Sequence, residues 1–217
     1  MNWGDFKTYT KQKLNPAGDS IIDLSTITLA SAFDTRLQIL VRMFTADAYI
    51  LYTPKVAFTP PTNDIVFATS GIASCSIFEA KTVWIDSGKI GKYDSIAALE
   101  RDFDTVNTVT AKPRAWAMQS EGVIQFNCIP DSAYSNSFIA GWYSHPPFTN
   151  DNDTVRISER QIDVAAVYCA RLFMEPVIFR DESLTRLKRY DVTAFEAVRR
   201  IKAENLKRHF DLTQRGG

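Results

Sequence analysis

Residues Gly122–Ile129 have the sequence GVIQFNCI, which is the most regular apolar alternation in the chain. Because successive side chains of a strand point to opposite faces of its sheet, this spacing predicts a β-strand with Ile124, Phe126 and Cys128 on one face. Similar runs, rich in tyrosine, phenylalanine, isoleucine and valine and broken by turn residues, predict further strands. These runs are Ala48–Phe58, Ile65–Ala68, Ser74–Ile85 and Tyr134–Tyr143.

The sequence also suggests how two of these strands pair. Pro130 and Asp131 form a turn signal between Gly122–Ile129 and Tyr134–Tyr143. A proline cannot donate to a strand ladder, so the first strand is expected to end there. We therefore predict that the two strands form a hairpin with a loop of several residues.

Helical spacing lies on both sides of this β-rich region. From Ile27 to Thr45 apolar residues recur every three or four positions, which predicts a helix with one buried face. The predicted face consists of Leu29, Phe33, Leu37, Leu40, Val41 and Phe44. Other helices are predicted at residues 3–13 and 94–103, from Ser158 to just before Pro176, and from Asp181 toward Phe210 as one helix or as two that break at Asp191.

Together these elements predict an α+β fold in one composite domain. Residues 1–46 form its N-terminal helical part, residues 47–150 its β-rich region, and residues 151–217 its C-terminal helical part and tail. Because the β region is inserted between helical segments, we expect the N- and C-terminal helices to form a bundle. The inserted region is expected to be mostly antiparallel and sandwich-like.

The composition excludes several classes of protein. The 217 residues include 25 Lys and Arg and 25 Asp and Glu, so the net charge favours neither nucleic acid nor membrane. Residues Met1–Leu14 lack the apolar stretch of a signal peptide, and no apolar run approaches the roughly 20 residues of a membrane span. Cys75, Cys128 and Cys169 are too widely spaced for a zinc or redox pair, which predicts free thiols. The sequence thus predicts a soluble protein that is made in the cytoplasm.

Catalytic residue patterns are scarce. The only histidines are His145, which is expected in a loop, and His209, which is expected at a helix end. Cys128 with His145 is a formal nucleophile and base, but no Gly-x-Ser-x-Gly type of elbow surrounds either residue. The loop from Asp151 to Asp153 lacks the glycine and glutamate of a calcium-binding EF-hand. We therefore predict no enzymatic activity, no metal and no cofactor; a small hydrolase or lectin-like module is the weakest alternative.

Charge is unevenly distributed along the chain. The C-terminal helical stretch carries a run of basic residues, namely Arg186, Lys188, Arg189, Arg199, Arg200, Lys202, Lys207 and Arg208. The β-rich middle carries acidic residues, namely Asp64, Glu79, Asp86, Asp94, Glu100, Asp102 and Asp104. Opposite patches on identical neighbours can attract each other and set the register of a ring or head-to-tail contact. The alternative is that both are ordinary solvated faces.

Several motifs follow one another between Pro113 and Ala170. A proline-aromatic start precedes a glycine-led strand, a Pro-Asp turn, a return strand, and a helix rich in small and aromatic residues. These parts are Pro113–Trp116, Gly122–Phe126, Ile129–Tyr134, Gly141–Pro147 and Asp163–Ala170. This order resembles that of the head-to-tail adaptor (neck or connector) proteins of tailed bacteriophages. The similarity of layout, with helical termini around a β-rich middle, covers nearly the whole chain.

The resemblance implies a structural virion protein of the neck. It implies a ring of twelve identical subunits beneath the portal protein, bound on its other side to a tail tube or nozzle protein and passing genomic DNA without sequence-specific binding. The portal-binding or channel-facing candidates are the eight basic residues above and Phe210. The candidates for loops that face a neighbouring subunit or the tail are Trp84, Trp116, Asp131, Tyr134 and Trp142. The alternative is a DNA-binding or packaging accessory protein that uses its basic C-terminal helix.

Overall fold

The structure is a computed structural model that describes residues 1–14, 27–69, 77–103, 109–174, 192 and 194–209, with backbone alone for residues 27–31 and 174. Predictions for Leu29, Cys75, Asp104, Arg186, Lys188, Arg189, Asp191 and Phe210 lie outside the described side chains. The fold is mixed α and β, and its sheets are largely antiparallel, which confirms the predicted α+β class.

The chain divides into two compact units. Residues Met1–Ile50 and Pro147–Gly217 form the first, which we call the helical unit, and residues Leu51–Pro146 form the second, the β unit. The β-rich limits expected from the sequence are residues 47 and 150. The helical unit is therefore built from both ends of the chain, whereas the β unit is one continuous segment.

Five helices are found among the described residues. They are α1 (Trp3–Leu14), α2 (Ile27–Asp47), α3 (Ile96–Asp102), α4 (Glu159–Met174) and α5 (194–209). Of these, α3 belongs to the β unit, and Ser95 caps its N-terminus by accepting a hydrogen bond from the Ala98 amide. The predicted face of α2 is confirmed, since Phe33, Leu37, Leu40, Val41 and Phe44 are all buried.

Helix α4 is the central element of the helical unit. Every residue from Ala165 to Ala170 is buried, so this helix is covered on all sides along that stretch, not on one face as the spacing predicts. Both α1 and α2 contact it. Its start differs in detail from the predicted capping box: the Ser158 hydroxyl donates to the Gln161 side-chain oxygen (2.8 Å) instead of accepting from a backbone amide.

The N-terminal residues are tied to the segment that precedes α4. The Trp3 ring stacks on Phe148 with 4.0 Å between centroids, and the Trp3 indole donates to the Asp34 carboxylate at 3.1 Å. Lys7 Nζ lies 3.0 Å from Asp34 Oδ1 and 2.6 Å from Asp151 Oδ1. These contacts join α1, α2 and the segment after Pro147 within the helical unit.

Ten strands are found among the described residues of the β unit. They are β1 (Leu51–Phe58), β2 (Val66–Ala68), β3 (Ile77–Ile85), β4 (Gly88–Lys89), β5 (Gly91–Tyr93), β6 (Thr110–Ala111), β7 (Ala115–Ser120), β8 (Val123–Phe126), β9 (Ile129–Pro130) and β10 (Ser137–Tyr143). One sheet has the order β1-β10-β3-β4, a second has the order β2-β8-β7-β5, and β6 pairs with β9. The β5–β7 and β6–β9 pairs are parallel, and the other pairs are antiparallel.

Buried side chains from both four-stranded sheets form one apolar cluster. Its members include Phe58, Val83 and Ile139 from the first sheet and Trp116, Ile124 and Phe126 from the second. The central strand β10 depends on Gly141, because a Cβ there would lie 2.5 Å from the Glu79 carbonyl oxygen and 2.9 Å from the Ala80 Cα. Only glycine fits this close approach of two backbones.

The predicted hairpin between Gly122–Ile129 and Tyr134–Tyr143 is wrong. Strand β8 pairs with β7 and β2, while β10 pairs with β1 and β3 in the other sheet. The actual hairpin is β7–β8, whose turn contains Gly122 with a φ of 73°. At its open end the Asn127 side chain accepts from the amides of Arg114 and Ala115, both at 2.9 Å, which ends the pairing there.

Candidate interaction surfaces

Helix α5 is fixed to the helical unit along one side. Its buried side consists of Ala194, Val198 and Ile201. The Asn205 amide donates to the Ala48 carbonyl at 3.1 Å, which satisfies a backbone acceptor just after the end of α2. The Lys202 ammonium lies 4.3 Å from the centroid of the Tyr49 ring. Lys202 is therefore half-buried and contributes to anchoring α5.

The opposite side of α5 carries charges of both signs. Arg199, Arg200, Lys207 and Arg208 are exposed, and so are Glu196 and Glu204. The exposed candidates on α5 are thus four basic residues with two acidic ones among them. Glu196 and Glu204 lie among the basic residues at helical spacing, so this mixture of signs can already be read from the sequence.

The contrast in charge between the two parts of the chain is smaller than expected. The β unit has nine Asp and Glu against seven Lys and Arg, and the helical unit has 16 against 18. The net charge is therefore −2 for the β unit and +2 for the helical unit, which is too small a difference to define oppositely charged patches. The basic character is local to the C-terminal stretch, and the described part of it is the exposed side of α5.

Asp131 and Tyr134 belong to a small cluster of loops in the β unit. The Tyr134 hydroxyl donates to the Asp131 carboxylate, and the Lys112 ammonium donates to Asp86 at 2.8 Å. Lys112 Nζ also lies 5.5 Å from the Tyr134 ring centroid. Partial burial and the neighbouring Asp131 carboxylate raise the pKa of Tyr134 to about 12, so this hydroxyl stays a donor at neutral pH.

Three residues of these loops have an unusual backbone conformation. Asp86, Ser87 and Tyr134 adopt positive φ angles of 52°, 63° and 37°, which side-chain-bearing residues rarely do. The Ser87 amide donates to the Asn136 carbonyl at 2.8 Å and so links the two loops. The structure therefore brings Asp131 and Tyr134 together at the surface.

The three candidate tryptophans do not behave alike. Trp116 and Trp142 are 0% and 3% exposed, so we correct the expectation that they face a neighbour: both lie inside strands and are covered by this chain. Trp84 is half-buried and pairs across strands with Phe138, whose ring centroid lies 4.0 Å from Lys55 Nζ. Of the three, Trp84 alone keeps a surface that a partner could contact.

The residues with catalytic potential are engaged in other contacts. The Cys128 sulfur donates to the Ala111 carbonyl, and burial raises the pKa of this thiol, which disfavours the reactive thiolate. The His145 ring is buried, and its Nδ1 lies 2.7 Å from the Pro146 carbonyl oxygen. In the Asp151–Asp153 loop, Asp153 accepts from the backbone amides of residues 149 and 150.

The described residues contain no group of three or more His, Cys, Asp or Glu side chains arranged to hold a metal ion. Among the helices of the described ranges, none combines the length and the apolar character that a membrane crossing requires.

No protein-family model matches the chain, and no curated protein matches its sequence. The assignment of a function therefore rests on the surfaces described above and on the motifs between Pro113 and Ala170.

Proposed function

We propose that this chain is a structural head-to-tail adaptor of a tailed bacteriophage. Twelve copies form a ring beneath the portal protein, join it to the tail tube or nozzle, and extend the channel through which the genome leaves. The chain is made in the host cytoplasm and resides in the neck of the virion. It acts through surface contacts instead of catalysis.

We further propose that the fold is a helical bundle with an inserted β sandwich. Helices α1 and α2 both contact α4, which supports a bundle that unites the two ends of the chain. The shared apolar cluster of the two four-stranded sheets supports the sandwich. This layout is also the one that the resemblance to adaptor proteins implies.

The observation that carries the proposal is the exposed charged side of α5. It lies on a helix whose other side is held by buried residues, so its charges are presented from a rigid element. Individual surface ion pairs contribute only about 0–1 kcal/mol each. In a ring, however, every subunit repeats the same contacts, and linked weak contacts give strong overall binding to a symmetric partner. The portal is such a partner.

The chemistry of the potential nucleophiles supports a structural role. Burial raises the pKa of both Cys128 and Cys169, so neither thiol is poised as a thiolate at neutral pH. His145 directs one ring nitrogen to the Pro146 carbonyl. A nucleophile and base acting together would need these groups free and adjacent.

A second candidate function is DNA binding through α5, since Arg199, Arg200, Lys207 and Arg208 are exposed. Such binding depends on phosphate contacts and weakens steeply with salt. Glu196 and Glu204 lie on the same side of the helix and would repel a phosphate backbone, which favours a protein partner over DNA.

Electron microscopy of the chain mixed with its portal tests the proposal. At near-physiological salt we expect ring-shaped density on one face of the portal, and we expect Arg199→Glu with Arg208→Glu to reduce its occupancy. The matched control is Arg42→Glu with Arg160→Glu, which makes the same change of charge on exposed residues of other helices. Absence of any complex, or a chain that binds only DNA and only at low salt, would contradict the proposal.

A further inference from the structure

Four charged residues form a single stripe along α5. Glu196, Arg200, Glu204 and Lys207 follow each other at steps of four, four and three residues. At 3.6 residues per turn these positions fall within an arc of roughly 80°. All four side chains are exposed. We call this set the α5 stripe, and its charges alternate from acid to base along the helix.

The α5 stripe has no charge partner among the residues that the structure describes. Neighbours four residues apart on a helix can form ion pairs with each other. Nevertheless, none of the four residues forms an ion pair or hydrogen bond with any other residue that the structure describes. As far as the described residues are concerned, all four charges are available to a partner outside the chain.

The order of the charges selects the partner. When a second copy of α5 is laid antiparallel about a two-fold axis near residue 202, Glu196 faces the second copy's Lys207, and Arg200 faces its Glu204. The symmetry doubles each contact, which gives four ion pairs. A parallel copy in register would place like charges opposite each other. We propose that the α5 stripe is a two-fold dimer contact that binds the α5 stripe of a second copy of this chain.

Neighbouring residues fit a close approach of two helices. Ala203 is exposed next to the proposed axis, and its small side chain allows the helix axes to come near. Val192 is 59% exposed and adds apolar area at each end. Because α5 is about 24 Å long, the interface is smaller than that of a stable complex, so the dimer is weak and sensitive to salt.

This contact goes beyond the proposed function. Arg200 and Lys207 are among the residues proposed to bind the portal, so the dimer covers them in free subunits. Dimerisation and portal binding then compete for the same side of α5. The dimer does not depend on the identity of the final partner, and it holds for any function of the chain.

Sedimentation equilibrium of the purified full-length chain tests the dimer. We expect concentration-dependent dimers at low ionic strength that dissociate as salt is added. Glu196→Lys with Glu204→Lys makes the stripe wholly positive, and Arg200→Glu with Lys207→Glu makes it wholly negative. Each variant alone is expected to dimerise at least about tenfold more weakly than the original chain, because like charges face each other.

Mixing the two variants provides the decisive readout. The positive and negative stripes are complementary, so their mixture is expected to form heterodimers although each variant alone dimerises more weakly than the original chain. Arg42→Glu with Arg160→Glu, which lies on α2 and α4, is the control and should leave dimerisation unchanged. A chain that stays monomeric at low ionic strength, variants that dimerise like the original, or a mixture that does not associate would each overturn the proposal. Portal binding is measured separately, so either proposal can fail alone.

Discussion

The helical unit and the β unit reach their folds through different kinds of contact. In the helical unit, side chains far apart in the chain meet: Tyr9 donates to Asp163 across 154 positions, and Lys7 pairs with Asp151 across 144. In the β unit, every strand pair joins segments within Leu51–Pro146. The helical unit therefore needs both ends of the chain, whereas the β unit holds all of its strand partners in one segment.

The two units also respond to different kinds of substitution. Large aromatic side chains and partly exposed ion pairs join the elements of the helical unit. In the β unit, strands β10 and β3 approach each other at Gly141 so closely that only glycine fits. Substitutions that remove side-chain atoms should therefore destabilise the helical unit most. A substitution that adds an atom at the close backbone approach should destabilise the β unit.

The largest effect is expected for Trp3→Ala. Trp3 is 1% exposed, stacks on Phe148 and donates to Asp34, so its removal leaves a cavity and takes away one of the hydrogen bonds to Asp34. We expect a loss of about 3–5 kcal/mol in the free energy of unfolding, measured by denaturant titration. Hydrogen exchange should locate the loss of protection in the helical unit. The control Ile39→Ala removes a side chain that is 51% exposed and should cost less than about 0.5 kcal/mol.

The next effect is expected for Gly141→Ala. The added Cβ would lie 2.5 Å from the Glu79 carbonyl oxygen, so the β10 and β3 backbones must move apart. We expect the free energy of unfolding to fall by about 1–3 kcal/mol in denaturant titrations. Hydrogen exchange should show reduced protection in β10 and β3. Gly91→Ala is the matched control, since its Cβ would meet nothing closer than 3.6 Å. Equal stability of the two variants would show that the close approach at Gly141 is not rigid.

A smaller effect is expected for Tyr168→Phe in α4. The Tyr168 hydroxyl donates to Asp47 at 2.7 Å, and burial together with this carboxylate raises the pKa of Tyr168 well above its usual value. Loss of the hydroxyl should lower the free energy of unfolding by about 1–2 kcal/mol, measured by thermal or denaturant unfolding. Tyr9→Phe removes a similar hydrogen bond to Asp163 at the surface and should cost clearly less. Equal losses would contradict the difference in burial.

The smallest effect concerns pH. Burial alone would raise the pKa of Asp34, but hydrogen bonds from Lys7 and Gln38 outweigh it and hold the pKa below its ordinary value. A carboxyl with a lowered pKa in the folded state stabilises the fold above its unfolded pKa, and this contribution is lost as pH falls through the folded pKa. Because Asp34 and Lys7 are partly exposed, we expect this contribution to the free energy of unfolding to change by less than about 1 kcal/mol between pH values of about 5 and about 2.

Asp34→Asn tests that contribution. The variant should lack this part of the acid destabilisation, so its unfolding free energy should fall less steeply than that of the original chain below pH of about 4. Denaturant titrations of both proteins across this range provide the measurement. Identical slopes would mean that Lys7 does not stabilise the ionised form of Asp34.

Local patterns predicted local structure well. The spacing of apolar residues predicted the buried face of α2, and the helix predicted at residues 94–103 is found as α3, because both depend on neighbours within a few turns. Within β8, Ile124 and Phe126 share the buried face as predicted. Alternation identifies a strand and its two faces from short-range order alone.

Patterns did not predict which elements meet. The alternation at Gly122–Ile129 contains no information about its partner, so the hairpin with Tyr134–Tyr143 was wrong. Nor does it show what covers a face: Trp116 and Trp142 were candidates for a contact with a neighbour, and both are buried. The spacing of the α5 stripe can be read from the sequence. That the stripe is exposed follows only from the structure, which shows that the opposite side of the helix is buried.

Imaging of the neck of an intact virion that encodes this chain tests the central claim most directly. Cryo-electron microscopy should show twelve copies in a ring between the portal and the tail, with the exposed side of α5 turned toward the portal or the channel. A complete neck in which no density fits this chain would contradict the claim.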